Sequence, residues 1–139
     1  MNAMEEHEFS LTNDPAGLER IQRLLQAVLQ DSGVRLKFIS AINLALGEWI
    51  ENIIQHAYAD GASHSIRVFC RLGPGEIVVR VIDDGRAFNP SEFPALDPAT
   101  TAGGVYAGRG IHLIRNLMDR VEHERKGHEN QITLTKFIP

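Results

Sequence analysis

The sequence is short of the residues that mark several large classes of protein. Cysteine occurs once, as Cys70. A single thiol excludes an intramolecular disulfide framework and fits a reducing compartment. No apolar run approaches the roughly 20 residues that a helix needs to cross a bilayer. The opening residues, Met1 to Glu8, are acidic and polar, so neither a secretory signal nor membrane association is expected. Lysine and arginine do not gather into a stripe, and the net charge is -4. Both facts argue against nucleic acid as a partner. Internal repeats and low-complexity tracts are also missing. His7, His64, His112, His123 and His128 lack metal-ligand spacing. No serine stands in a nucleophile elbow, and there is no phosphate loop ending in Gly-Lys-Ser/Thr. What is left is a globular, cytoplasmic type of chain. Its 139 residues suffice for one domain, 1–139, and not for two.

Periodicity supplies the elements. Glu8 to Thr12 alternates apolar and polar, as a short strand does. Asn13-Asp14-Pro15 reads as a capped helix start, followed by the apolar face Leu18, Ile21, Leu24, Leu25, Val28 and Leu29, which stops near Ser32-Gly33. A second helix is predicted from about Arg35 to Tyr58, with Ile39, Ile42, Leu46, Trp49, Ile50, Ile53 and Ala57 inward and Asp60-Gly61 as its stop. Ser65–Leu72 and Glu76–Ile82 read as strands joined at Gly73-Pro74-Gly75. The nearly continuous apolar run Ile77–Ile82 predicts a central, covered strand. From Asp83 to about Arg109 no period holds, and Pro and Gly recur, which predicts a lid, with Pro90 to Arg109 ordering when a ligand binds. A third helix should turn Ile111, Leu113, Ile114, Leu117, Met118 and Val121 inward, and Val121–Lys126 with Gln131–Ile138 should close the chain as a hairpin. This order predicts an α+β, two-layer sandwich: helices on one face of a mixed, mostly antiparallel sheet.

Three clusters carry polar chemistry. Glu48, Asn52 and His56 are each four apart, so they form a stripe beside the apolar face of the second helix. Spacing alone favours a solvated flank over a cleft wall; in a cleft, the carboxylate suits a general base and the carboxamide oxygen a hard cation. Asp83-Asp84-Gly85 ends the apolar strand. Taken alone it is an ordinary turn, and in a pocket Asp83 would accept from a ligand amine while Gly85 lets a ligand come close. Gly103-Gly104 and Gly108-Arg109-Gly110 precede the third helix, where backbone N–H groups can meet phosphate.

Their order resembles a known family. Ala45-Leu46-Gly47-Glu48-Trp49-Ile50-Glu51-Asn52-Ile53-Ile54-Gln55-His56-Ala57-Tyr58 is similar to the Asn box of the Bergerat-fold ATPases. Its Glu-x-x-x-Asn-x-x-x-His-Ala-Tyr pattern resembles the anti-sigma-factor kinase branch. Val81 to Pro90 resembles that branch's first glycine box, Gly108 to Ile114 with Leu117-Met118-Asp119 its second, and Ile132 to Lys136 its final strand. The resemblance implies a Bergerat fold that binds ATP with Mg2+. Asn52 would hold the magnesium ion, Glu48 would be the general base, and Asp83 would bond the adenine amino group with Gly85 making room. Gly108, Arg109 and Gly110 would line the phosphates. Two positions depart from the family: Ala87 stands where a second glycine is usual, and Gly127-His128-Glu129-Asn130-Gln131 replaces the Gly-Thr that supports the aspartate. Asn130 or Thr133 would have to substitute. The implied function is a serine/threonine kinase that phosphorylates a small anti-sigma-factor antagonist, binds a sigma factor in its alternate partnership, and forms a homodimer. A non-catalytic, nucleotide-sensing partner switch stays open. So does a detached histidine-kinase ATP domain, although no phosphoacceptor hairpin precedes the first predicted strand.

Overall fold

In the computed structural model, residues 5–87 and 106–139 are described, with 106–110 as helix backbone only. Five strands and three helices are present among them: β1 (Glu5–Thr12), α1 (Pro15–Asp31), α2 (Leu36–His56), β2 (Ser65–Gly73), β3 (Glu76–Asp83), α3 (Tyr106–Leu117), β4 (Arg120–Lys126) and β5 (Glu129–Phe137). The sheet order is β1-β2-β3-β5-β4. Every pairing is antiparallel, so the mixed character allowed by the sequence is not seen among the described residues. The chain leaves β3, forms α3, passes to the sheet edge as β4, and returns as β5 between β4 and β3. That return brings the start of β5 beside the end of β3, with Asp83 opposite Asn130.

The helices form one layer, with α2 packed between α1 and α3. Periodicity explains the layer. On α1, Ile21, Leu25 and Leu29 are fully buried; on α2, Ile39, Ile42, Ala45, Leu46, Trp49, Ile50 and Ile53 are buried. They meet Ile66, Val68, Cys70, Ile77, Val79, Val81, Ile132 and Leu134, the alternate residues of the three middle strands. Cys70 is part of this core, and burial pushes its thiol up to about 12. It is therefore packing, not a nucleophile at neutral pH.

Local chemistry sets the boundaries. Asp14 is extended and its carboxylate accepts from Gly17 N at 2.7 Å, capping α1 ahead of Pro15. Asp14→Ala should lower stability by about 1 kcal/mol, read from denaturant midpoints with an unchanged m-value. The turn between β2 and β3 is Pro74-Gly75, with Gly75 at φ 83°.

Three expectations are corrected. α2 ends at His56, not Tyr58, because the Ala57 carbonyl accepts from Arg86 N at 2.9 Å instead of from a further turn. β3 is central but covered on one face only: Val78 and Arg80 lie on the face away from the helices. On α3 and beyond, Ile111, Ile114 and Met118 are buried and Leu117 and Val121 pack against the core, but Leu113 is at the flank and outside the core cluster. The lid expected between Pro90 and Arg109 falls largely outside the described residues.

Candidate nucleotide site

The end of α2, the end of β3 and the start of β5 converge on a cleft. It is lined by Trp49, Asn52, Ile53, His56, Ala57, Asp83, Arg86 and Asn130. Trp49 and Ile53 belong to the core face of α2, and Asn52 and His56 flank that face. Two members of the polar stripe predicted from i,i+4 spacing, Asn52 and His56, therefore line a cleft, with His56 still exposed at its rim. Glu48 lies one helical turn before Asn52 and is half-buried, outside the set of residues that line the cleft itself. The buried Nδ2 of Asn52 has no hydrogen-bond partner among the described residues. A buried N–H donor left unpaired costs stability, so an acceptor atom of a ligand would suit it, while the Oδ1 oxygen is the atom that could take a cation.

Asp83 is the best-defined polar group. It is only 3% exposed. Its Oδ1 accepts from Gly85 N at 2.9 Å and from Asn130 Nδ2 at 3.0 Å. Desolvation pushes its carboxyl above the ordinary aspartate value; the Asn130 and Gly85 bonds and the Arg125 charge work against that rise. Gly85 is held by close packing and not by an unusual φ. A Cβ there would lie 2.5 Å from Ala57 Cβ and 2.7 Å from the Ala57 carbonyl oxygen. Next to it, Tyr58 donates from its hydroxyl to Asp84 Oδ1 at 2.6 Å and stacks on His64 at 3.9 Å between centroids. Burial and that carboxylate raise the phenol well above its usual value, so it stays a donor.

Of the residues singled out in the sequence, Asn52, Asp83 and Gly85 come together, with Glu48 one turn away. Thr133 does not join them. It stands three residues beyond Asn130 on β5 and lines a groove on the opposite sheet face with Phe69, Val78 and Arg80. The support that a Gly-Thr would give Asp83 comes from Asn130, whose side chain points into the cleft. Gly108, Arg109 and Gly110 are inside α3, not in a loop before it. Gly108 and Arg109 fall among its first four residues, whose N–H groups have no intrahelical acceptor. Gly103 and Gly104 lie outside the described residues. Sequence reading missed Arg125, which donates from Nη1 to the Gly85 carbonyl at 2.7 Å and from Nε to the Gly127 carbonyl at 3.2 Å. No spacing signal marks it, since it comes from a neighbouring hairpin.

A single Asn ligand suits a cation that keeps water and phosphate oxygens in its shell, which is the habit of magnesium. The described residues offer no group of three or more His, Cys, Asp or Glu side chains that would hold a metal alone. None of the described helices is long and apolar enough to cross a membrane.

A helix-bearing Asn facing a strand-end Asp-x-Gly, under one layer of helices on an antiparallel sheet, defines a class. The model of the histidine kinase-like ATPase domain matches residues 11–136, and the chain belongs to that family. Its relatives include serine kinases, the branch that the Glu48–Tyr58 motif resembles. It is 29% identical over 104 residues to the serine/threonine-protein kinase BtrW of Bordetella bronchiseptica, covering 73% of this chain and 70% of the relative. It is 28% identical over 138 residues to the serine-protein kinase RsbW of Bacillus pumilus, covering 94% and 85%. Among solved structures it resembles the RsbU and RsbW domains of a Mycobacterium tuberculosis protein, with TM-score 0.71 and 20% identity over 97% of this chain and 33% of that longer one. The SiaB–SiaC complex of Pseudomonas aeruginosa gives TM-score 0.61 at 14% identity, covering 95% and 89%. At those identities the structures speak to the fold alone.

Proposed function

We propose that the chain is an ATP-dependent protein serine/threonine kinase of the anti-sigma type. It would phosphorylate a small antagonist protein and, in the alternate partnership, bind a sigma factor in the cytoplasm. The observation that carries this reading is the cleft itself. A buried Asp83 is held as an acceptor, and a buried Asn52 amide is left without a partner. In a family of ATPase domains these are a base-recognising and a phosphate-side group.

Asp83 would accept from the adenine amino group. The missing Cβ of Gly85 makes room for Ala57 rather than for the base, and so lets the turn sit against the end of α2 and hold Asp83 in place. Asn52 would hold magnesium, which neutralises phosphate charge when bound. The first N–H groups of α3, those of Gly108 and Arg109 among them, have no intrahelical acceptor and would face the phosphates, with Gly110 one position further on. Glu48 would take the proton from a serine or threonine hydroxyl of the docked partner as that oxygen bonds to the γ-phosphorus; the bond to the β-phosphate oxygen breaks and ADP leaves.

Calorimetry with ADP and magnesium tests the pocket. Asp83→Asn and Asn52→Ala should each weaken binding by at least about tenfold. The stability of Asp83→Asn should go the other way. A buried acid whose folded pKa is raised loses stability as pH rises past its unfolded pKa, because the unfolded state ionises more readily. Removing the charge should leave Tm at neutral pH equal to the parent or higher. Binding equal to the parent in both variants would place the nucleotide elsewhere.

A non-catalytic nucleotide sensor is the second reading. Its support was the missing Gly-Thr, and Asn130 supplies a donor to Asp83 in its place. Labelling of a partner by radioactive ATP separates the two. A homodimer is also proposed. Among the described residues nothing covers the sheet face away from the helices, which has Arg71 and Arg80 at its centre and Glu6 and Glu8 on the edge strand β1. Light scattering at micromolar concentration should give twice the 15.5 kDa chain mass; a species of 15.5 kDa alone would reject it.

A further inference from the structure

Asn130 is 2% exposed and is the register partner of Asp83. Its Nδ2 donates to Asp83 Oδ1 at 3.0 Å and to the Arg86 carbonyl at 2.8 Å, and lies 3.4 Å from the Gly85 carbonyl. An amide carries two hydrogens, so the first two contacts are the direct bonds and the third is a weaker shared one. Arg125, the register partner of Asn130 on β4, adds the bond to the Gly85 carbonyl and ties it to Gly127 at the hairpin turn. On the other side, the Ala57 carbonyl accepts from Arg86 N. The turn from Asp83 to Arg86 is thus held from two directions, by the end of α2 and by the β4–β5 hairpin.

This arrangement has a chemical consequence. A hydroxyl can rotate to donate or to accept, but a carboxamide nitrogen only donates. With Gly85 N and Asn130 Nδ2 both on Oδ1, that oxygen is fixed as an acceptor, and Oδ2, which has no bond to any described residue, is the one left for a ligand. We propose that Asn130 and Arg125 are positioning residues for purine recognition, a clamp that aims Asp83 Oδ2 at an exocyclic amino group and so sets preference for a 6-amino over a 6-oxo purine. The inference rests on the ATP-site reading and extends it from the support Asn130 gives Asp83 to base selectivity, and to Arg125, which has no assigned role. Asn130 acts on the carboxylate directly, and Arg125 acts through the Gly85 carbonyl.

Calorimetry on the full chain with magnesium, using ADP and inosine diphosphate as probes, tests it. The two probes share ribose and phosphates and differ in the group at position 6 and its neighbouring ring nitrogen. The parent should prefer ADP by about tenfold or more, the loss expected for a buried acceptor left without a donor. Asn130→Ala should weaken ADP by about tenfold and inosine diphosphate by no more than about twofold, so the preference collapses. Arg125→Met, at an exposed side chain, should move ADP by about threefold in the same selective way and covers the case in which Asn130→Ala does not fold. Equal weakening of both probes would mean that these residues merely hold the pocket together, and the clamp would be wrong. Parent-like preference in both variants would also overturn it while leaving the ATP site intact. A parent that binds neither probe, or binds both alike, would remove the adenine-site reading and the clamp with it.

Discussion

Glu48→Gln should lower the rate of partner phosphorylation by about 10²–10⁴-fold while leaving the affinity for ADP within about twofold of the parent. The rate range is that of a positioned general base, equivalent to about 3–5 kcal/mol of barrier. The binding expectation follows from placement. Glu48 is half-buried one turn from Asn52, and the cleft that would take the base is built from Trp49, Asn52, Ile53, Asp83 and Asn130. Glutamine keeps the length and the helix propensity of glutamate, so α2 and its buried face should not move. Only the capacity to take a proton is lost. The measurement is single-turnover transfer from radioactive ATP to a small partner protein that presents a serine or threonine, beside calorimetry of the same variant. Transfer at the parent rate would show that the base is assigned wrongly. A parent that binds ATP but never labels any partner would favour the nucleotide-sensing reading instead.

Much of this site is legible in the order of residues alone, and the reason is local. The capping Asp14, the α2 face from Ile39 to Ile53 and the stripe of Glu48, Asn52 and His56 depend only on the 3.6-residue period and on side chains reaching their own backbone. The end of α2 is different. Its stop at His56 is decided by Arg86, which takes the Ala57 carbonyl from 29 positions further along the chain. Gly108 to Gly110 show the limit of propensity: glycines read as loop, yet the α3 helix begins before them at Tyr106. The replacement for the Gly-Thr needed two facts that spacing does not hold. One is that β5 returns beside β3, which places Asn130 opposite Asp83. The other is the parity of β5, which sends Asn130, Ile132 and Leu134 to the helix side and Thr133 to the other. Arg125 is invisible to spacing for the same reason, since its partner Gly85 is 40 positions away.

Gly85→Ala should leave a folded protein that has lost nucleotide binding by more than about 100-fold, with stability lower by about 1–3 kcal/mol, the range for overpacking a tight contact. The cause is steric. The added Cβ would sit 2.5 Å from Ala57 Cβ, 2.7 Å from its carbonyl oxygen and 3.0 Å from its carbonyl carbon. Two of these three are backbone atoms of a residue tied to the end of α2 by its own N–H bond to Ile53. The helix end cannot retreat without breaking that bond, so the turn must move. Moving it loosens the Arg86 bond to Ala57, the Arg125 bond to Gly85 and the Gly85 N–H that holds Asp83. The core beneath, from Trp49 to Val81, is untouched, which is why the fold should survive. Thermal melts and calorimetry separate the two effects. A second substitution tests the mechanism. Ala57→Gly in the same chain removes the Cβ contact but leaves the approach to the Ala57 carbonyl oxygen. It should therefore recover part of the stability and little of the binding. Full recovery of ADP affinity in the double variant would show that the Cβ contact alone sets the position of the turn; parent-like affinity in Gly85→Ala itself would show that the turn does not carry the base site.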